Sequence, residues 1–366
     1  MQRVYNFSAD AVSLPEEVIT RIKNEMLSYG ETGMSVMEMS HRDPDFEKIR
    51  ADCEASLRKL LDVPDNYEVL FLGGGATTQF SAVPLNLLSG SKKADYVLTG
   101  LFSKQAAMEA KKYGDIAIAA SSAGATPVYH TVPKLTKSDF RRDADYVHIC
   151  YNNTVYGTAF NYVPETDGIP LVADMSSSLL SEPVTVSKYG VIYASCQQNI
   201  SIAGLTVVIV RNDLIGKASP DTPATLDYKT VAENKSMYNT PPCFAIYTAG
   251  CVLDWMLSVG GMERIYELNQ QKASALYGYL DSQSYYTAPV DKRFRSSTSV
   301  VFVTGSQALD KLFVKEAERE GLVNLAGHST VGGMRACIGN SMTIEGVLKL
   351  IDFMTRFAEN NPKSFE

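Results

Sequence analysis

Short apolar runs alternate with helical patterns along much of the chain, and this alternation limits the folds that it can adopt. Apolar runs at 67–72, 94–99 and 146–150 have the length and the β-branched and aromatic content of buried strands. The stretches 77–88 and 104–113 between them have helical spacing. Parallel strands need crossover connections of this kind. The pattern therefore predicts an α/β domain with a largely parallel sheet. Further strands are predicted at 115–120, 171–173 and 191–194. A separate strand follows a short polar turn and ends at residue 210.

The pattern changes after about residue 243. Long helical stretches at 244–259 and 262–280 are separated by Gly260 and Gly261, and a strand is predicted at 298–304. A chain of 366 residues exceeds what one hydrophobic core usually organises. The second long helix is therefore expected to lead into a second domain. The end of the chain, from residue 359, is expected to fray.

Composition excludes several classes of protein. A net charge of −7 argues against a general nucleic-acid role. No apolar run reaches the ~20 residues that a membrane span needs. The first residues lack the basic and apolar segments of a secretory signal, so we expect a cytoplasmic protein without a membrane partner. The six cysteines and four histidines have no metal-like spacing, and no metal site is predicted.

A run of three glycines, residues 73–75, lies between a predicted strand and a predicted helix. Glycines at such a place allow backbone N–H groups to converge, and a helix N-terminus favours an anion. The run is typical of a phosphate-binding turn, although it matches neither the dinucleotide G-x-G-x-x-G motif nor the P-loop. A simple flexible turn remains an equal alternative.

Other polar residues lie where α/β proteins place ligand groups. Asp174 follows the predicted strand 171–173, and the carboxyl ends of parallel strands are the usual ligand edge. Its carboxylate could bind a cation or a protonated ring nitrogen, or it could simply cap the turn that follows. The pairs His41–Arg42 and His328–Arg335 could bind carboxylate or phosphate. Surface ion pairing is the alternative for these arginines.

Taken together, these residues resemble one family, the phosphoserine aminotransferases. The motifs Ala173-Asp-Met-Ser-Ser177 and Met237-Tyr-Asn-Thr-Pro-Pro242 are similar to family motifs. Further similar segments, in the same order and over nearly the whole chain, are 6–8, 35–42, 73–75, 80–86, 94–97, 109–114, 189–194, 203–211 and 325–336.

The resemblance implies a fold-type I transferase that uses pyridoxal phosphate. The fold would be α/β, with a large domain around a mostly parallel seven-stranded sheet and a smaller α+β C-terminal domain. We predict the large domain at 16–260, and the small domain at 1–15 and 261–366. Such enzymes are homodimers with active sites at the interface. They move an amino group between glutamate and 3-phosphohydroxypyruvate, in serine biosynthesis and in a related step toward vitamin B6.

The resemblance also implies roles for single residues. Asp174 would pair with the pyridine nitrogen and keep the ring an electron sink. Phe102 stands where the family has a tryptophan stacked on the ring, and Thr154 would contact the side of the ring that carries the hydroxyl. The small anionic phospho-amino or phospho-keto acid would contact His41, Arg42, His328 and Arg335. The cofactor phosphate would be held by Gly75, Ala76, Thr77, Gln197 and, from the partner subunit, by Asn239 and Thr240.

The chain departs from the family at the turn after the strand 191–194. Gln198 replaces the lysine that forms the Schiff base, and an amide nitrogen can neither form an imine nor shuttle a proton. Ser201 and Ile202 replace a Gly-Pro pair, and Asp10 adds a negative charge near the expected anionic substrate.

These changes leave three interpretations. The first is a homologue that is inactive or severely impaired and that binds pyridoxal phosphate, if at all, without a covalent bond. The second is a slow enzyme supported by another base. The third is a non-catalytic subunit that binds the cofactor or a phospho-ligand and pairs with an active paralogue. The glutamine could be natural, or it could be a lysine-to-glutamine variant made in a laboratory.

Overall fold

A seven-stranded mixed sheet forms the centre of this structure, a computed structural model that describes residues 3–363. The strands are β1 (Tyr5–Asn6), β2 (Tyr67–Gly73), β3 (Lys93–Leu98), β4 (Asp115–Ser121), β5 (Tyr146–Cys150), β6 (Asn152–Asn153), β7 (Thr158–Ala159), β8 (Leu171–Asp174), β9 (Val191–Ser195), β10 (Leu205–Arg211), β11 (Ser299–Phe302), β12 (Leu322–Val323) and β13 (Met334–Cys337). The helices are α1 (Glu16–Asn24), α2 (Pro44–Leu61), α3 (Gly75–Leu87), α4 (Leu101–Ala110), α5 (Tyr228–Glu233), α6 (Cys243–Ser258), α7 (Gly261–Ser282), α8 (Gln307–Arg319) and α9 (Ile344–Asn360).

The order of the central strands is β2-β10-β9-β8-β5-β3-β4. Strand β10 is antiparallel to both of its neighbours, and the other four pairs are parallel. Helices cover both faces, so strands β5 and β9 are buried along their whole length. The prediction of an α/β fold with a mostly parallel seven-stranded sheet is therefore confirmed.

Alternate residues of the central strands enter two different hydrophobic clusters. Val69 and Phe71 of β2 join the cluster that contains α2 and α6, whereas Leu70 and Leu72 join the cluster that contains α3 and α4. A third cluster combines Phe7 with side chains of α7, α8, α9, β11 and β13. The predicted domain boundaries at residues 16 and 260 stay a prediction.

Several predicted element ends were wrong by a few residues. Helix α4 begins at Leu101 rather than at residue 104, because Gly100 and the Ser103 hydroxyl form its N-terminal cap. Helix α9 continues to Asn360, so the chain does not leave the helix at residue 359. The remainder of the predicted frayed tail reaches residues 364–366, which lie outside the described residues.

Between residues 3 and 363, no single helix is both long enough and apolar enough to cross a bilayer. Helices α6 and α7 satisfy the length and composition criteria only as a pair, and they are bent by 86° where they meet.

Candidate functional site

The predicted cofactor residues gather at one edge of the central sheet. Strands β2, β9, β8, β5 and β3 all run in the same direction, so their carboxyl ends meet at that edge. Each of these ends contains or is followed by at least one predicted site residue, and the set is Gly75, Gln197, Gln198, Asp174, Thr154 and Phe102. The sheet thus brings together residues that are more than 120 positions apart in the sequence.

The N-terminus of α3 forms an open cradle of backbone N–H groups. Gly74 and Gly75 have φ values of 106° and 75°, in the left-handed region that favours glycine. A Cβ atom on Gly75 would lie 3.3 Å from the Ser195 hydroxyl oxygen. No side chain caps the helix, so the N–H groups of its first turn, which includes Ala76 and Thr77, are available to an anion.

Asp174 ends β8 and is buried at the edge of the cradle. Its Oδ1 atom accepts hydrogen bonds from Ser176 N at 3.0 Å and Ser176 Oγ at 2.7 Å. Burial raises the pKa of the Asp174 carboxyl, and the bonds from Ser176 oppose that rise. Asp174 therefore does cap the turn after β8, through its Oδ1 atom. No donor among residues 3–363 bonds Oδ2, which leaves this oxygen for a cationic or N–H ligand group.

Gln198 is anchored within the protein through its amide nitrogen. Nε2 donates to the carbonyl oxygen of Ala9 at 2.6 Å, and Val12 N donates to Gln197 O at 3.3 Å. These two bonds fasten the turn after β9 to the N-terminal segment. Three residues further on, Ser201 Oγ donates to the buried carbonyl of Ala245 in α6 at 2.6 Å. The side chains of Gln198 and Ser201 thus hold the turn in place.

Phe102 and Thr154 lie at the ends of neighbouring strands. Phe102 is half-buried in the first turn of α4, and Thr154 is buried after β6. The backbones approach closely, because a Cβ atom on Gly100 would lie 2.5 Å from Asn153 Oδ1. The Thr99 hydroxyl also donates to that oxygen, at 3.2 Å. A side chain larger than glycine at position 100 would therefore separate the two strand ends.

The four predicted substrate residues lie in two separate places. His41 and Arg42 precede α2. The Nε2 atom of His41 is buried and has no partner among the described residues, and Arg42 is exposed. Arg335 is buried in β13, and its Nε atom also lacks a described partner. The side chain of His328 contacts the Thr330 hydroxyl. No described hydrogen bond joins His41 or Arg42 to the cluster around Asp174.

Asp10 and Arg335 act on the same thiol. Burial raises the pKa of the Cys337 thiol, the positive charge of Arg335 lowers it, and the negative charge of Asp10 raises it again. Both charges therefore lie within Coulombic range of this thiol, although no ion pair within 4.0 Å joins them among the described residues.

Asn239 and Thr240 are exposed in the loop before α6. In the same chain they line a cavity of about 290 Å³ together with Gly73 and Thr78, at the start of the cradle region. Their contribution to a partner subunit's site stays a prediction.

Two serines at this edge were missed by the sequence analysis. Ser176 bonds Asp174, and Ser195 bonds both Ser176 and Gln197. The same rule that singled out Asp174 could have found Ser195, because it also ends a parallel strand.

Comparison with known proteins identifies the family of this chain. The sequence profile described as aminotransferase class-V matches residues 4–350. The chain belongs to the class-V aminotransferase family. Its fold is that of the fold-type I pyridoxal-phosphate aminotransferases, as predicted.

Within this class-V family, the chain is similar to phosphoserine aminotransferases over its full length. It is 47% identical to that of Bacillus cereus over 361 residues, which covers 99% of this chain and 100% of the relative. It is 49% identical to that of Listeria monocytogenes over 358 residues, with 98% and 97% covered. The solved phosphoserine aminotransferase from Bacillus circulans subsp. alkalophilus superposes with a TM-score of 0.95 at 41% identity, covering 98% of this chain and 99% of that one. A structure of the enzyme from Trichomonas vaginalis, described as bound to PLP, superposes with a TM-score of 0.89 at 35% identity, with 96% and 100% covered.

Proposed function

We propose that this class-V aminotransferase homologue holds pyridoxal phosphate without a covalent bond. We further propose that it is inactive or severely impaired in amino transfer between glutamate and 3-phosphohydroxypyruvate. The observation that carries the proposal is the position of Gln198. It occupies the turn after β9, at the edge of the sheet where β8 ends in Asp174, and its amide nitrogen is bonded to Ala9 O.

The residues present fit the cofactor. Gly75 lacks the Cβ atom that would stand 3.3 Å from Ser195 Oγ, which leaves room for a phosphate against the helix N-terminus. The buried Asp174 carboxylate offers Oδ2 to a protonated ring nitrogen, and Phe102 offers an aromatic face. When bound, the cofactor supplies an electron sink for the carbon that bears the amino group. The roles of Thr154, Asn239 and Thr240 in holding it are part of the same proposal.

Gln198 cannot perform the work of the family lysine. The lone pair of its Nε2 atom is delocalised into the carbonyl, so this atom neither attacks an aldehyde nor accepts a proton from the substrate α-carbon. Loss of a positioned acid–base group typically lowers a rate by ~10²–10⁴. A slow reaction would need another base at that position, and no lysine among the described residues forms a hydrogen bond with Gln198.

Substrate binding is expected to be weakened as well. Arg335 is a buried cation with an unpartnered Nε, which suits a carboxylate or phosphate oxygen. Asp10 opposes an anion in that region because the two charges repel each other. His41, Arg42 and His328 complete the proposed substrate contacts, in a cytoplasmic homodimer with active sites at its interface.

A second candidate function follows from the loop before α6. Tyr238 is 49% exposed, and the neighbouring Asn239 and Thr240 are exposed too. Large exposed aromatic side chains are common in protein interfaces. The chain could therefore pair with an active paralogue and complete the paralogue's phosphate site while it performs no catalysis itself.

The test combines cofactor binding with reversion of the turn. Purified protein is titrated with pyridoxal phosphate, treated with borohydride, and weighed as the intact chain. We expect bound cofactor, an unchanged protein mass and no turnover above a protein-free control. The variant Gln198→Lys should gain the mass of one reduced cofactor and at least ~100-fold in turnover, from the restored acid–base group.

Gln198→Met is the matched control, since methionine has a similar length but no amine. It should show neither the mass increase nor turnover. Covalent fixation of cofactor by the unmodified chain, or turnover by it close to that of Gln198→Lys, would refute the proposal. If Gln198→Lys binds the cofactor without gaining activity, the changes at Asp10, Ser201 and Ile202 are the cause. Co-purification with an active relative, and not with itself, would favour the second candidate.

A further inference from the structure

A continuous chain of hydrogen bonds joins the two ends of the candidate cofactor site. Ser176 Oγ donates to Asp174 Oδ1 at 2.7 Å. Ser195 N donates in turn to Ser176 Oγ at 3.0 Å. Ser195 Oγ then donates to Gln197 Oε1 at 2.5 Å. The chain runs from the carboxylate at the ring end to the glutamine at the phosphate end.

The sheet explains why these four residues meet. Strands β8 and β9 are parallel neighbours, with Asp174 paired to Tyr193, so Ser195 lies just beyond the end of β8. Gly75, at the start of α3, comes so close that its missing Cβ atom would touch Ser195 Oγ at 3.3 Å. Ser195 is therefore placed between the carboxylate and the anion cradle, and it is 7% exposed.

Ser195 Oγ donates to Oε1 of the Gln197 amide in the structure, which leaves the other end of the amide free. With Oε1 occupied, the remaining polar atom is Nε2, which only donates. No residue among 3–363 accepts a hydrogen bond from it. In the reverse orientation, the partially negative Oε1 would be available to the cradle and would repel an anion bound there. A fixed donor next to the N–H groups of α3 adds one directed bond to such an anion.

We propose that Ser195 is a positioning residue for the phosphate end of the site, because it fixes the Gln197 amide with Nε2 toward the anion cradle. The ligand class is a phosphate monoester of a nitrogen heterocycle. The inference rests on the proposed function, in which such a ligand is held without a covalent bond. A site that lacks the lysine bond depends more strongly on each of its phosphate contacts.

The test compares three probes on the full-length protein. The probes are pyridoxal phosphate, inorganic phosphate as its competitor, and pyridoxal, which has the ring but no phosphate. For Ser195→Ala we expect both phosphate probes to bind about 5- to 10-fold more weakly, as for the loss of one hydrogen bond that serves a charged group. Pyridoxal affinity should change less than about 2-fold, because the bond lost lies at the phosphate end.

Two control variants isolate the effect of the hydroxyl. Ser178→Ala removes a nearby buried hydroxyl that has no hydrogen-bond partner among the described residues, and it should leave all three affinities unchanged. Ser195→Thr keeps the hydroxyl in a residue that strands tolerate, and it should restore phosphate binding.

Unchanged phosphate affinity in Ser195→Ala, or an equal loss for pyridoxal, would overturn the proposal. Should Ser195→Ala fail to fold, Ser195→Cys gives the same decision, because it keeps a side chain of similar size but replaces the hydroxyl by a thiol, which is only a weak donor. It must weaken phosphate binding far more than pyridoxal binding, and equal effects would overturn the inference. If the unmodified chain binds none of the probes, the proposed function fails with it. If the unmodified chain binds them and Ser195→Ala binds equally well, only the role of Ser195 is lost.

Discussion

Lys272 is a buried lysine whose charge should make the stability of this protein depend on pH. It lies on α7 and is 2% exposed, and its Nζ atom donates to Gly339 O at 2.5 Å and to Met342 O at 2.9 Å. Burial lowers the pKa of Lys272 from 10.5 to about 7. These two carbonyls flank Asn340, whose backbone N–H bonds Asn199 in the turn that carries Gln198. Lys272 thus helps to hold the backbone segment that bonds the turn carrying Gln198.

The sign follows from which state binds the proton. Between pH 7 and 10.5 the unfolded chain holds a proton on this lysine and the folded chain does not, so stability rises with pH in this window. At about 1.4 kcal/mol for each pH unit, the whole window corresponds to about 5 kcal/mol. Between pH 7 and pH 9 the gain should be about 2–3 kcal/mol.

The assay is urea unfolding of the unmodified chain and of Lys272→Met at pH 7 and pH 9. Methionine has no titrating group, so the free energy of unfolding of the unmodified chain should rise by about 2–3 kcal/mol relative to the variant. The variant should also lose a pH-independent amount, because two buried carbonyls lose their donor. Lys311→Met, at an exposed lysine of α8, is the control and should show no pH-dependent difference. The reasoning is refuted if the free energy of unfolding of the unmodified chain minus that of Lys272→Met is equal at both pH values or is lower at pH 9.

Three further predictions concern the site itself. Asp174→Asn keeps the oxygen that accepts from Ser176 but loses the negative charge. It should weaken pyridoxal phosphate binding about 10- to 100-fold in a fluorescence titration. Equal affinity would contradict a role of Asp174 at the ring nitrogen. Asp10→Ala should strengthen binding of 3-phosphohydroxypyruvate about 5-fold by calorimetry, because it removes a negative charge from the region of Arg335. In 1 M salt, where the Debye length is roughly 3 Å, most of this gain should disappear. A gain that persists unchanged would show that charge is not the cause. Ser201→Gly removes the bond to Ala245 O and adds backbone freedom, so it should lower the free energy of unfolding by about 1–2 kcal/mol in urea; an unchanged midpoint would contradict this anchoring role.

Much of the candidate site could be anticipated because its residues follow strands. The positions of Gly75 and Asp174 follow from one rule, that parallel strands bring their carboxyl ends to the same edge. Phe102 and Thr154 came from the family resemblance, and the structure then placed them at the same edge. No described hydrogen bond joins His41 or Arg42 to the residues around Asp174, so their role in substrate binding stays a prediction. The start of α4 was misplaced because its cap uses Gly100 and Ser103, and the helical spacing alone does not mark such a cap.

The sequence by itself determined the order of strands and helices, the family, and the glutamine at position 198, where the family resemblance implies a lysine. Each of these features follows from the local spacing of apolar residues or from the identity of single residues. Only the tertiary structure decided that Gln198 bonds Ala9, that Ser195 connects Asp174 with Gln197, and that Lys272 is buried. The first of these bonds joins residues 189 positions apart, and the second needs the register of two neighbouring strands. Such contacts depend on how the packed sheet and helices bring distant backbones together, and a linear pattern carries no information about that geometry.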